Sequence, residues 1–106
     1  MIKFNHTKLY QYDSSINLIY KIMSLLTDNV IPGEHGKIFG TNAKEDSELI
    51  AIKESLLKMD GVTGVHINNA VFPREFTVLT NKVISVDEIE KQVKSIGFHA
   101  IPKQII

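Results

Sequence analysis

An α+β domain, with an antiparallel sheet covered on one side by two helices, is the fold that this 106-residue sequence predicts. Two observations predict it. Leu49–Ile67 and Val86–Ile101 each read as an amphipathic helix, a glycine stop and a short strand, and their apolar positions keep the same spacing. The segments around them carry the alternation and β-branched content of strands.

Taken in order, Ile2 and Phe4 alternate with polar residues like a short strand, but the pattern fades at His6. Asp13, Ser14 and Ser15 are N-cap candidates for a helix over Ile16–Thr27. Its apolar positions are Ile16, Leu18, Ile19, Ile22, Met23, Leu25 and Leu26, with Tyr20 among them, and only Asn17, Lys21 and Ser24 mark a polar stripe. A helix apolar over most of its surface is buried, or lies against a partner. Asp28-Asn29 and Pro32-Gly33 end it, and the turn IPGEHG divides an N-terminal extension, 1–35, from a domain over 36–106.

Lys37–Phe39 is the first candidate strand of that domain, before Gly40. The polar TNAKEDS leads into the first repeat helix, which either a box of Asn42 with Glu45, or Asp46, or Ser47 can cap. Leu49, Ile52, Leu56 and Met59 share one helical face, and Lys53, Glu54 and Lys58 lie off it. Gly61 accepts the left-handed conformation that closes a helix. From Val62 the chain extends, with Val65 and Ile67 alternating with His66 and Asn68. Asn69–Glu75 makes a long hairpin connection, with Pro73 in the loop or on an edge because it cannot donate to a ladder. Phe76–Thr80 is a strand and Asn81-Lys82 a turn. Ser85-x-x-Glu88 is a capping box for a helix whose face is Val86, Ile89, Val93 and Ile96; Gly97 stops it, and a last strand ends at Ile101. The order from Lys37 is strand, helix, strand, strand, helix, strand: a ferredoxin-like βαββαβ sandwich, with the N-terminal helix as an extension.

Composition narrows the function classes. Lys+Arg and Asp+Glu are both 12, giving a formal net charge of zero. A nucleic-acid binder needs clustered positive charge to displace counterions, so no nucleic-acid partner is expected. Cysteine is absent, which excludes disulfides and thiolate chemistry. The N-terminus lacks the apolar run of a signal peptide, and no stretch approaches the ~20 apolar residues of a membrane span. A cytoplasmic protein with no membrane contact is expected.

LLKMDGVTGVHIN and VISVDEIEKQVKSIGFHAIP resemble the heavy-metal-associated domains of copper chaperones and metal-pumping ATPases. That family ends its first helix in a Leu-Pro-Gly-Val turn, where this chain has Met59-Asp60-Gly61-Val62. It begins its second helix with Ser-x-x-x-Ile and ends it in Gly-Tyr or Gly-Phe, matched here by Ser85, Ile89 and Gly97-Phe98. The resemblance covers Lys37–Lys103 and implies the same ferredoxin-like fold. The family's function rests on a Cys-x-x-Cys before the first helix, whose thiolates grip a soft ion such as Cu(I) or Zn. Aligned through Gly61 those cysteines fall on Glu45 and Glu48; aligned from Gly40 they fall a few residues earlier. Carboxylates are hard ligands and poor ones for Cu(I), so the metal-carrying role does not transfer.

Glu45 and Glu48, helped by His35 or Asp46, are the candidates for another metal such as Zn or Ni, although acidic residues also suit a helix N-terminus on their own account. His66 and His99 form a symmetric pair across the repeats, but the fold puts their strands at opposite sheet edges, on the order of 14 Å apart. Ser14, Ser15 and Ser85 are accounted for by helix caps, and no nucleophile elbow or phosphate loop is present. Phe39 and Phe76 occupy strand positions that stack bases in RNA-recognition domains, but they fit core positions better in a neutral chain. No cofactor is expected. The sequence therefore points to a non-enzymatic interaction module with a protein partner, or a second copy, at the N-terminal helix. Carboxylate–histidine metal handling is one alternative. The other is an amino-acid-sensing regulatory domain, which uses a similar repeat with a Gly-Val turn.

Overall fold

The computed structural model describes Leu18, Ile19, Lys21, Ile22, residues 25–33 and residues 35–103. The expectations for residues 1–17, including Ile2, Phe4, His6, the caps at residues 13–15 and Ile16, lie outside the described residues, as do Tyr20, Met23 and Ser24. The elements are β1 (Asn29–Val30), β2 (Lys37–Thr41), α1 (Asp46–Leu57), β3 (Val62–Asn68), β4 (Glu75–Thr80), β5 (Ile84–Ser85), α2 (Val86–Ser95) and β6 (Ala100–Pro102). They form two antiparallel sheets, one of four strands ordered β3-β4-β2-β6 and one of two, β1-β5. Upstream of β1, Leu18, Ile19, Lys21, Ile22 and Leu25–Asp28 are helical. No helix among the described residues is long and apolar enough to cross a membrane.

Helix ends follow side-chain chemistry, with two departures from expectation. Glu45 is the N-cap of α1 and forms a capping box with Glu48. Asn42 is not the cap, because β2 runs on through Gly40 to Thr41 and leaves Asn42 beside the approach to β6, where its Oδ1 accepts the His99 N–H at 2.8 Å. At α2 the Ser85 hydroxyl accepts the Glu88 N–H at 3.1 Å. Only this half of the expected box forms, since Ser85 also ends β5, paired with Asn29, and the Glu88 carboxylate makes no return bond. Gly61 and Gly97 close their helices at the same φ, +96°.

Strand alternation then sorts the two faces of the large sheet. Lys37, Phe39 and Thr41 of β2, Phe76, Val78 and Thr80 of β4, and Val65 of β3 are buried. The apolar ones, Phe39, Val65, Phe76 and Val78, meet Leu49, Ile52 and Leu56 of α1 and Val86, Ile89 and Val93 of α2 in one core. Each fully buried aliphatic side chain there contributes ~1.5–3 kcal/mol. Phe39 and Phe76 stack inside it, with centroids 5.4 Å apart and planes at 10°, so both are core residues. Gln92 of α2 clasps α1 by donating to the Ser55 carbonyl (3.0 Å) and hydroxyl (2.9 Å). Val30, upstream of residue 36, is fully buried in the same core, next to its β5 partner Ile84. The opposite face, with Ile38 and Gly40 of β2, Thr77 and Leu79 of β4, His66 of β3 and Ile101 of β6, has no helix over it among the described residues.

Candidate functional site

The loop from β2 to α1, where the resemblance puts a thiolate pair, closes on itself. The Thr41 hydroxyl accepts the Ala43 N–H at 3.2 Å, and Asn42 holds His99 as described. The Glu48 carboxylate accepts the N–H groups of Lys44 (2.9 Å) and Glu45 (3.0 Å). Those two bonds, Glu45's first and Lys44's second, hold the Glu48 carboxyl below its ordinary value. Glu48 therefore serves the helix N-terminus, where a negative charge is also favoured by the macrodipole.

The other candidates are dispersed. His35 precedes β2 and Glu45 follows it, so roughly 16 Å of strand lies between them. Asp46 accepts a hydrogen bond from Asn69 Nδ2 at 3.2 Å. His66 is exposed on β3 and His99 is exposed just before β6, at the two outer edges of the sheet. Among the described residues no group of three or more His, Cys, Asp or Glu is placed to share an ion.

Two apolar features stand out instead. A groove of about 560 Å³ opens over Gly40, lined by Pro73, Glu75, His99, Ile101 and Lys103 among others. Gly40 gives it a floor without a side chain: a Cβ there would meet nothing nearer than the Ile101 carbonyl oxygen at 3.9 Å. Ile101 is 69% exposed beside it, and Glu75 and Lys103 are paired at 3.0 Å, so its rim carries a neutralised charge pair. No strand period announces such a groove. The sequence puts Gly40 just after the strand Lys37–Phe39, whereas β2 runs on through it to Thr41 and so places a residue without a side chain on the sheet face.

The second feature is the N-terminal helical segment. Leu18, Ile19, Ile22, Leu25 and Leu26 are 45–61% exposed. At 100° per residue they fall within an arc of about 120°, a continuous apolar stripe. The segment's end is fixed from the core: the buried Lys37 ammonium donates to the Leu26 carbonyl at 2.9 Å, and Asn29 Nδ2 donates to the Leu25 carbonyl at 3.2 Å. A cation at the last carbonyls is the favoured partner for the negative end of a helix. Lys37 was missed from sequence because a lysine in a strand reads as solvent-facing; its alternation with Phe39 and Thr41 was the available signal.

Compared with known proteins, the chain matches no family model, no curated protein and no solved structure.

Proposed function

We propose that this protein is a non-enzymatic interaction module, and that its N-terminal helical stripe is the surface that takes a protein partner. The carrying observation is the exposure of all five aliphatic residues of the stripe while Lys37 and Asn29 hold the segment's end in place. A helix that covered its own core would bury such a stripe. The domain behind it is a ferredoxin-like unit of the heavy-metal-associated type in which thiolate metal binding has been lost. The strand order β3-β4-β2-β6, the two helical crossovers and the two Gly-closed helices support that reading. The side-chain closure of the β2–α1 loop fits a site given over to structure.

The test is the double variant Ile22→Glu, Leu25→Glu, compared with the parent chain by sedimentation velocity and thermal unfolding. Self-association, or capture of a partner, is lost. The melting temperature measured in dilute solution stays within the small range expected for exposed substitutions, about ±0.5 kcal/mol in stability. A loss of several kcal/mol in the dilute variant would put the stripe in the chain's own core and refute the proposal.

A further inference from the structure

We infer that the partner is a second copy of this chain, and that the groove over Gly40 on its open sheet face receives the helical stripe, each copy covering the other. The inference rests on the stripe being an interaction surface, as proposed above.

Among the described residues two apolar surfaces lie without cover, and they face opposite sides of the sheet. The Lys37 side chain lies on the helix-covered side of the sheet with Phe39 and Thr41, and it pins the segment's end there through Leu26. The groove opens on the other side. A second copy related by a two-fold axis resolves this, because the contact is then made twice and closes.

Dimensions and charge agree. From Leu18 to Leu26 a helix rises about 12 Å, and the four strands span about 14 Å. The exposed parts of the five stripe residues together with Ile38 and Ile101 amount to roughly 700 Å² per copy, close to the ~800 Å² per partner of a standard interface. The groove's one ion pair is internally neutralised, so no unpaired charge is buried when an aliphatic stripe seats on it. Lys21 is the single basic residue among the described helical positions upstream of β1, far from the Lys/Arg-rich polar face with which interfacial helices bind lipid.

A chain without cysteine makes the test direct. Chains carrying only Ile22→Cys are mixed with isotope-labelled chains carrying only Ile101→Cys, and a short bismaleimide is added. Both positions are exposed, so the fold is kept, and circular dichroism checks it. The expected product is the crossed 22–101 link between a light and a heavy chain. That product is lost when Lys58→Cys, which is exposed and lies beyond the end of α1, replaces Ile101→Cys. A 22–22 link alone means that two stripes pair with each other and overturns the groove as receiver. A monomer at all concentrations, with or without binding to lipid vesicles, overturns the second copy as occupant. Neither result touches the stripe as an interaction surface; only destabilisation of the dilute Glu double variant does that.

Discussion

The matched helix stops allow one substitution to be made twice. Gly61 and Gly97 have the same φ, +96°, so replacing either by alanine meets the same backbone penalty. That penalty is ~1–2 kcal/mol for a left-handed residue bearing a Cβ, offset by ~0.4–1 kcal/mol from the stiffer unfolded chain. For Gly97→Ala nothing else is added, because a Cβ there has no neighbour within 4 Å; the expected loss is about 1 kcal/mol. At Gly61 the new Cβ would stand 2.6 and 2.8 Å from Cε and Cγ of Lys82 and 3.0 Å from Cδ1 of Ile84. Moving Lys82 disturbs only its solvent-exposed bond to Asp60, which adds little. Ile84 is 3% exposed, and crowding a packed side chain costs ~1–3 kcal/mol. Gly61→Ala should therefore lose about 2–4 kcal/mol. The assay is urea unfolding followed by circular dichroism. With a slope of ~1–3 kcal/mol per molar, the two variants' midpoints should separate by about 1 M. Equal losses would refute the reasoning, since they would mean that the packing around Gly61 contributes nothing beyond the shared backbone term.

Two further outcomes are expected. The folded-state pKa of Glu48 lies below its ordinary 4.5, so the stability it supplies is present above that value and is lost as pH falls through the lower folded one. The gap in urea midpoint between the parent chain and Glu48→Gln should therefore be constant from neutral pH down to about 5 and shrink below it; a gap independent of pH would show that the carboxylate's charge plays no part. Gln92→Ala should cost about 1–2 kcal/mol and lose most of that cost in a Ser55→Ala background, as a double-mutant cycle on one shared contact requires.

How much of this could be read from the chain depends on what each residue depends on. Helices α1 and α2 were legible because their core faces repeat over three turns and their stops are local: Gly61 and Gly97 need only their own backbone. The pairing of Asn29–Val30 with Ile84–Ser85 was not, since two residues carry no period. Glu45 escaped notice as a cap because glutamate is outside the usual capping residues, and it serves here only through its reciprocal partner Glu48. The apolar width of the N-terminal helix was plain in sequence. Its exposure was not, because a buried helix and a partner-covered one have the same pattern, and the difference lies in where Lys37 anchors it. The separation of His35 from Glu45 and Glu48 follows from the length and course of β2, a tertiary fact.

Strand β3 forms one margin of the large sheet, and seven residues of it run there without a single lysine, arginine, aspartate, glutamate or proline. Those are the residues with which natural sheets keep their margins from adding strands of other chains. The irregularity between Val62 and Gly64, which kinks the ladder, is the one such device that β3 carries. Concentrated or slowly folding preparations should therefore aggregate from this side first, and a lysine in place of the exposed Thr63 is the change that would improve their handling without touching the groove or the stripe.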